Sequence, residues 1–81
     1  MRTVTLYHRS GCHLCDEMKK VVESLGGEIP LRLEEVDIET DADLVRRYGN
    51  DIPVLLIDEQ EAFRHRVTPG QLRRALRSTN R

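Results

Sequence analysis

Apolar and polar residues alternate from Thr3 to His8, with Val4 and Leu6 on one parity and Thr5 and Tyr7 on the other, which reads as a strand. His8-Arg9-Ser10-Gly11 reads as a turn. From Cys12 the period changes, because Leu14, Met18, Val21, Val22 and Leu25 recur at three and four, the spacing of one helical face. Gly26-Gly27 is a helix stop. Leu31 to Ile38 reads as a second strand, but Leu31 and Leu33 have one parity and Val36 and Ile38 the other. Cover on both faces, or a bulge near Glu34-Glu35, would each account for the break. Thr40 is then expected as an N-cap, with Asp41 and Asp43 in the first turn of a helix whose apolar face is Leu44, Val45 and Tyr48 and whose stop is Gly49. Pro53 opens Val54-Leu55-Leu56-Ile57, an unbroken apolar run typical of a strand covered on both faces. Asp58-Glu59-Gln60 is a tight connection, and Glu61 to Arg66 is expected as a polar edge strand. Thr68-Pro69-Gly70-Gln71 has capping-box spacing with proline at the first helical position. Leu72, Ala75 and Leu76 mark the inner face of that last helix, and Arg73, Arg74 and Arg77 are expected to face water.

The order is therefore β-α-β-α-β-β-α. The first strand, helix and second strand form a right-handed βαβ unit by default. The connection between the last two strands is too short for a parallel crossover, so they form a hairpin. An α/β fold follows, with a four-stranded mixed sheet and helices on both faces. At 81 residues the chain is expected to be a single domain over 1–81, within the ~50–250 residues common for domains.

Composition narrows the function classes. Thirteen basic residues against fourteen acidic ones leave a net charge of −1, which argues against a generally basic nucleic-acid binder. The charge is uneven, however. Residues 28–61 hold eleven acidic and three basic groups, whereas residues 62–81 hold six arginines and no acid. A solvated helix face or a basic contact surface would both fit that tail. No apolar run approaches the ~20 residues that cross a bilayer, so no membrane association is expected. Met1-Arg2-Thr3-Val4 lacks the apolar region of a signal peptide. A cytoplasmic location is expected.

The chemistry rests on two cysteines. A small domain stapled by disulfides usually carries several, spread along the chain. Cys12 and Cys15 are three apart, and so short a loop constrains the unfolded chain little. Their position is more informative: Gly11-Cys12-His13-Leu14-Cys15 lies where a strand turns into a helix. Free N–H groups and the positive end of the helix dipole favour a thiolate at Cys12. Spacing i, i+3 brings Cys15 to the same face, one turn deeper. Cys12 can then attack a disulfide, and Cys15 can resolve the mixed disulfide. Gly11 leaves room for substrate, while Arg9 and His13 would add positive charge. Two other readings stand beside this one. The pair could hold a metal ion or an iron–sulfur cluster in a non-enzymatic module, with His8, His13 or a second chain supplying the missing ligands. It could also be two inert core thiols. His8 shares the parity of Val4 and Leu6 and is expected at the inner end of its strand, and His65 is expected on a strand surface.

Strand, Gly-Cys-x-x-Cys, helix, strand, helix and then Ile52-Pro53-Val54 before a buried strand resembles the thioredoxin-fold proteins. The opening Leu6-Tyr7-His8-Arg9-Ser10-Gly11-Cys12-His13-Leu14-Cys15 and the small size are most similar to small glutaredoxin-like proteins. The resemblance implies a thioredoxin fold, electron-transport chemistry as a thiol–disulfide oxidoreductase, Cys12 as nucleophile and Cys15 as resolving thiol. It implies a cis Ile52–Pro53 bond beside the cysteines, with the Ile52 backbone pairing with an extended substrate, and Arg9 as a contact for the glutathione carboxylate. Its implied partners are a protein or small-molecule disulfide, with glutathione or a reductase as electron source. No bound cofactor and a monomeric state are expected. The chain departs from that family in having His13-Leu14 where glutaredoxins usually have Pro-Tyr. It also has Val67-Thr68-Pro69-Gly70-Gln71 where they have Gly-Gly followed by an acid. The Trp-Cys-Gly-Pro-Cys of thioredoxin is absent.

Overall fold

β1 (Arg2–His8) lies inside the sheet, and the elements that follow it are α1 (His13–Gly26), β2 (Leu31–Asp37), a single 3-10 turn (Ile38–Thr40), α2 (Ala42–Tyr48), β3 (Val54–Ile57), β4 (Gln60–Arg64) and α3 (Pro69–Arg77). This is a computed structural model, and it describes residues 1–78. The four strands are ordered β2-β1-β3-β4. β1 pairs parallel with β2 and antiparallel with β3, and β3 and β4 form an antiparallel hairpin. Asp58 and Glu59 at the hairpin tip both have positive φ, 50° and 72°, the backbone twist that a two-residue hairpin turn requires.

One face of the sheet carries the main core. Val4 and Leu6 of β1 and Leu55 and Ile57 of β3 meet Met18, Val22 and Leu25 of α1 and Leu72 and Leu76 of α3. Each of these side chains contributes roughly 1.5–3 kcal/mol on burial. The opposite parity faces the other way. Tyr7, paired with Val54 in register, packs its ring against Tyr48 of α2 at 5.1 Å between centroids. Helices therefore cover both faces, α1 and α3 on one and α2 on the other.

Several expected boundaries shift, each for a physical reason. β2 pairs with β1 in continuous register, Arg2 with Leu31 through His8 with Asp37, so no bulge breaks it. Its alternation fails because Leu31 and Leu33 pack on the main core, whereas Val36 follows Tyr7 to the other face. Glu35 takes the inner parity at the sheet edge, where Lys19 of α1 meets it at 3.2 Å. Ile38, fully buried, belongs to the 3-10 turn and not to the strand. Thr40 is not an N-cap. Its hydroxyl donates back to the Asp37 carbonyl at 2.7 Å, and Asp41 caps α2 by accepting the Asp43 N–H at 2.9 Å. The apolar face of α2 is only partly covered, with Val45 left 37% exposed. β4 ends at Arg64 because His65 has φ 67°, a left-handed conformation that leaves the ladder. His65 is exposed just past the strand and not on it. At α3, Thr68 Oγ1 accepts the Gln71 N–H at 3.1 Å and Gln71 Oε1 accepts the Thr68 N–H at 3.0 Å, a complete capping box. Arg73 does not simply face water, because it is held by Glu28 at 2.6 Å. Among the described residues no helix is long and apolar enough to cross a membrane.

Candidate redox site

β1 ends at His8 and the chain turns through Arg9-Ser10-Gly11 into α1. Gly11 has φ +80°, a conformation that glycine adopts at no steric cost. A Cβ there would meet nothing within 4 Å, so the demand for glycine is conformational and the space beside it is open. Cys12 is the N-cap of α1, with extended backbone (φ −92°, ψ 108°). Its carbonyl accepts the first helical bond from Asp16 N–H at 3.2 Å. Its Sγ accepts the N–H of Cys15 at 3.2 Å. This satisfies one of the N–H groups that a helix start leaves unpaired.

Cys12 and Cys15 are joined as a disulfide, with their Cα atoms 5.2 Å apart. Cys15 is 2% exposed, while Cys12 is half-buried. The two sulfurs thus differ in access: one is reachable from solvent and the other is enclosed behind it.

The same end of the sheet receives the start of β3. Val54 pairs with Tyr7, so Pro53 and Ile52 enter where β1 hands the chain to the cysteines. The Ile52–Pro53 peptide bond is cis. Pro53 is buried and Ile52 half-buried. The Pro53 carbonyl accepts the His65 N–H at 2.8 Å, which ties this loop to the end of β4. Between α1 and the segment leading into α3 lies a hollow of about 220 Å³, lined by Leu14, Met18, Val21 and Val67 with Glu17 and Arg66 among its polar residues. Leu14 lies between the two cysteines in sequence, so the hollow is bordered by the same first turn of α1 that carries them, although neither cysteine lines it.

The sequence matches the glutaredoxin-like domain (DUF836) over residues 3–77. The chain belongs to the glutaredoxin-like domain family. It is 29% identical over 75 residues to the glutaredoxin-like protein YDR286C homolog of Dictyostelium discoideum, covering 85% of this chain and 69% of that protein. Among solved structures it is similar to the X-ray structure of the target protein XcR50 from X. campestris. That match has 32% identity, a TM-score of 0.75, and covers 95% of this chain and 99% of the other. Mitochondrial thioredoxin 3 from Saccharomyces cerevisiae, in its oxidised form, superposes with a TM-score of 0.71 at 14% identity, covering 96% of this chain and 78% of that one. At that identity the likeness speaks for the fold alone, and the fold is that of thioredoxin.

Within this glutaredoxin-like frame, the supporting residues take separate positions. His13 is 84% exposed and its Nε2 lies 2.7 Å from a Glu17 carboxylate oxygen, so any positive charge it carries is opposed at close range. Arg9 is half-buried, and its Nε is shielded from solvent with no hydrogen-bond partner among the described residues. The rest of its guanidinium reaches α2, where Nη2 would stand 3.6 Å from a Cβ on Gly49. His8 Nε2 lies 3.9 Å from Glu35. Glu35 also takes Lys19, one turn beyond Cys15, and this hydrogen-bonded partner raises the Lys19 pKa. Among the described residues no group of three or more His, Cys, Asp or Glu side chains is placed to hold a metal ion. A metal or cluster on this pair would need ligands from elsewhere.

Sequence reasoning did not single out the hollow or its residues Met18, Val21, Arg66 and Val67. Leu14, Met18 and Val21 read as an ordinary core stripe at helical spacing. Nothing local marks the segment 65–71 as their neighbour across a gap.

Proposed function

We propose that this glutaredoxin-like protein is a thiol–disulfide oxidoreductase that works through Cys12 and Cys15. The observation that carries this is the asymmetric pair at the start of α1. Cys12 is accessible, with its sulfur receiving the Cys15 N–H at the positive end of the helix, and Cys15 is enclosed one turn deeper. In the reduced protein the Cys12 thiolate attacks one sulfur of a substrate disulfide. A Cys12–substrate S–S bond forms, and the substrate's other sulfur leaves with the electron pair and takes a proton. Cys15, once deprotonated, attacks Cys12 Sγ. The Cys12–Cys15 bond forms, the mixed disulfide breaks, and the second substrate sulfur leaves as a thiolate. The substrate gains two electrons and the protein loses two.

Ile52 and Pro53 line the entry to β3 at the same end of the sheet, which supports their use as a rest for an extended substrate backbone. The hollow bordered by Leu14 supports an apolar contact for the substrate beside α1. The substrate is a protein or small-molecule disulfide. Glutathione or a reductase returns the two electrons. Arg9 supports glutathione as a carboxylate partner, whereas the capping box at Thr68 and Gln71 occupies the place of the family's Gly-Gly-acid stretch.

The test is a paired assay of the full chain. One arm follows reduction of a glutathione mixed disulfide with glutathione present, and the other follows reduction of the protein by NADPH and a thioredoxin reductase. Turnover in either arm, lost in Cys12→Ser, is the expected result and names the electron donor. A Cys12→Ser variant as active as the parent would overturn the assignment.

A further inference from the structure

α3 carries positive charge with little to offset it. Its first turn holds no acidic residue, unlike α1 with Asp16 and α2 with Asp43, so the positive end of its dipole is not neutralised locally. Arg73, Arg74 and Arg77 lie on the side away from the buried Leu72 and Leu76. Together with Gly70 they line a shallow depression of about 580 Å³. Among the described residues one carboxylate reaches them: Glu28 holds Arg73 at 2.6 Å but Arg77 only at 3.5 Å. Arg74 and Arg66 are exposed and, among the described residues, in no ion pair.

The segment leading into this face borders the hollow beside α1, the helix that Cys12 caps. Arg66, Thr68 and Gln71 line the hollow beside Leu14, and the depression begins at Gly70. Residues 62–81 themselves supply no acidic side chain, and the carboxylates that border the route, Glu17 at the hollow and Glu28 at Arg73, come from α1 and the loop after it. From Gln71 to Arg77 the helix rises by about 9 Å, which an extended peptide spans in about three residues.

We propose that Arg66 and the arginine face of α3 form a docking strip for acidic segments of the disulfide-bearing proteins that Cys12 reduces. The inference rests on the oxidoreductase reading for the role of the strip, but its binding test does not depend on turnover. Glu28 already shows how the strip takes a carboxylate, with its two oxygens on Arg73 Nε at 2.6 Å and Nη2 at 3.2 Å. That two-pronged geometry suits guanidinium and carboxylate. A short acidic peptide matches the strip's extent. A long polyanion such as a nucleic acid matches the protein less well, because the chain as a whole carries fourteen acidic groups against thirteen basic ones.

The experiment measures fluorescence anisotropy of three cysteine-free peptides of equal length, with Glu, Gln or Lys tails, on the oxidised full chain. At low salt the Glu peptide is expected to bind at least about tenfold tighter than the Gln peptide, and the Lys peptide least. The advantage should vanish near 0.5 M salt, where the screening length is only about 4 Å. R66E/R74E should abolish the preference. The milder R66Q/R74Q should reduce it while keeping the circular dichroism of the parent. Equal binding of all three peptides would overturn the proposal, as would a Glu preference that survives both double variants. So would a duplex oligonucleotide that displaces the Glu peptide at lower concentration than free Glu peptide does.

Discussion

The backbone N–H of Cys15 donates to Cys12 Sγ at 3.2 Å, so the amide of the enclosed cysteine supports the sulfur of the more exposed one. On the proposed function, this bond and the start of α1 favour attack by Cys12 in the reduced protein, while Cys15, 2% exposed, is shielded from reagents. Iodoacetamide below neutral pH should therefore label Cys12 at least about tenfold faster than Cys15. Timed quenching and peptide mass spectrometry read the two sites separately. Equal, slow labelling would mean that neither thiol is activated.

Gly49 is needed for space and not for its φ, which is −54°. Its N–H donates to the Val45 carbonyl at 2.8 Å, and a Cβ would stand 2.6 Å from that same oxygen. Backbone cannot yield as a flexible side chain does. Gly49→Ala should destabilise the fold by about 1–3 kcal/mol, measured by urea unfolding at equilibrium. Gly11→Ala makes a useful contrast, because no atom lies within 4 Å of its Cβ and any cost there comes from the positive φ.

The capping box on α3 offers a second stability test. Thr68→Ala removes the acceptor for Gln71 N–H and should cost about 1 kcal/mol, lowering Tm by about 4–8 °C in a domain of this size. Thr68→Ser keeps the hydroxyl and should recover most of it.

Acid should weaken the fold through several exposed carboxylates. The Thr3 backbone N–H, then Arg2, hold Asp58 below its ordinary 3.8. Arg73 holds Glu28 below its ordinary 4.5, and Arg46 and Arg64 do the same for Asp43 and Glu61. A group whose folded pKa is depressed adds stability that is fully present above its unfolded value and lost as pH falls through the folded one. Stability should be flat on this account above about pH 5 and decline below the 3.8–4.5 range. Asp58→Asn should shallow that decline. High salt should shallow it too, because these pairs are solvent-exposed and screened. Urea midpoints across pH, with and without 0.5 M salt, provide the check.

Much of the fold was legible because its signals are local. The helical spacing of Leu14, Met18, Val22 and Leu25 gave α1, and the spacing of Thr68 and Gln71 gave the start of α3 to the residue. The parity break between Leu33 and Val36 admitted two explanations, because a strand's own sequence does not say what lies above and below it. Val45 looked like core and is exposed, since a short helix covers only the part of the sheet that its one aromatic, Tyr48, reaches. Arg73 looked like a solvated side chain, and its partner Glu28 lies 45 residues away.

The redox pair belongs to the legible part. A helix N-terminus is built from consecutive residues, so the placement of Cys12 as cap and Cys15 one turn on follows from the chain order of strand, Gly11 and helical period. Which sulfur is shielded, which loop faces the pair and where a substrate would rest depend on contacts between segments far apart in sequence. Tyr7 must meet Val54 to bring Pro53 to the end of β1, and α3 must fold back on α1 before Val67 and Arg66 can border a hollow with Leu14. Those meetings arise from burying one shared apolar face, and no single segment carries enough of that face to specify its neighbours alone.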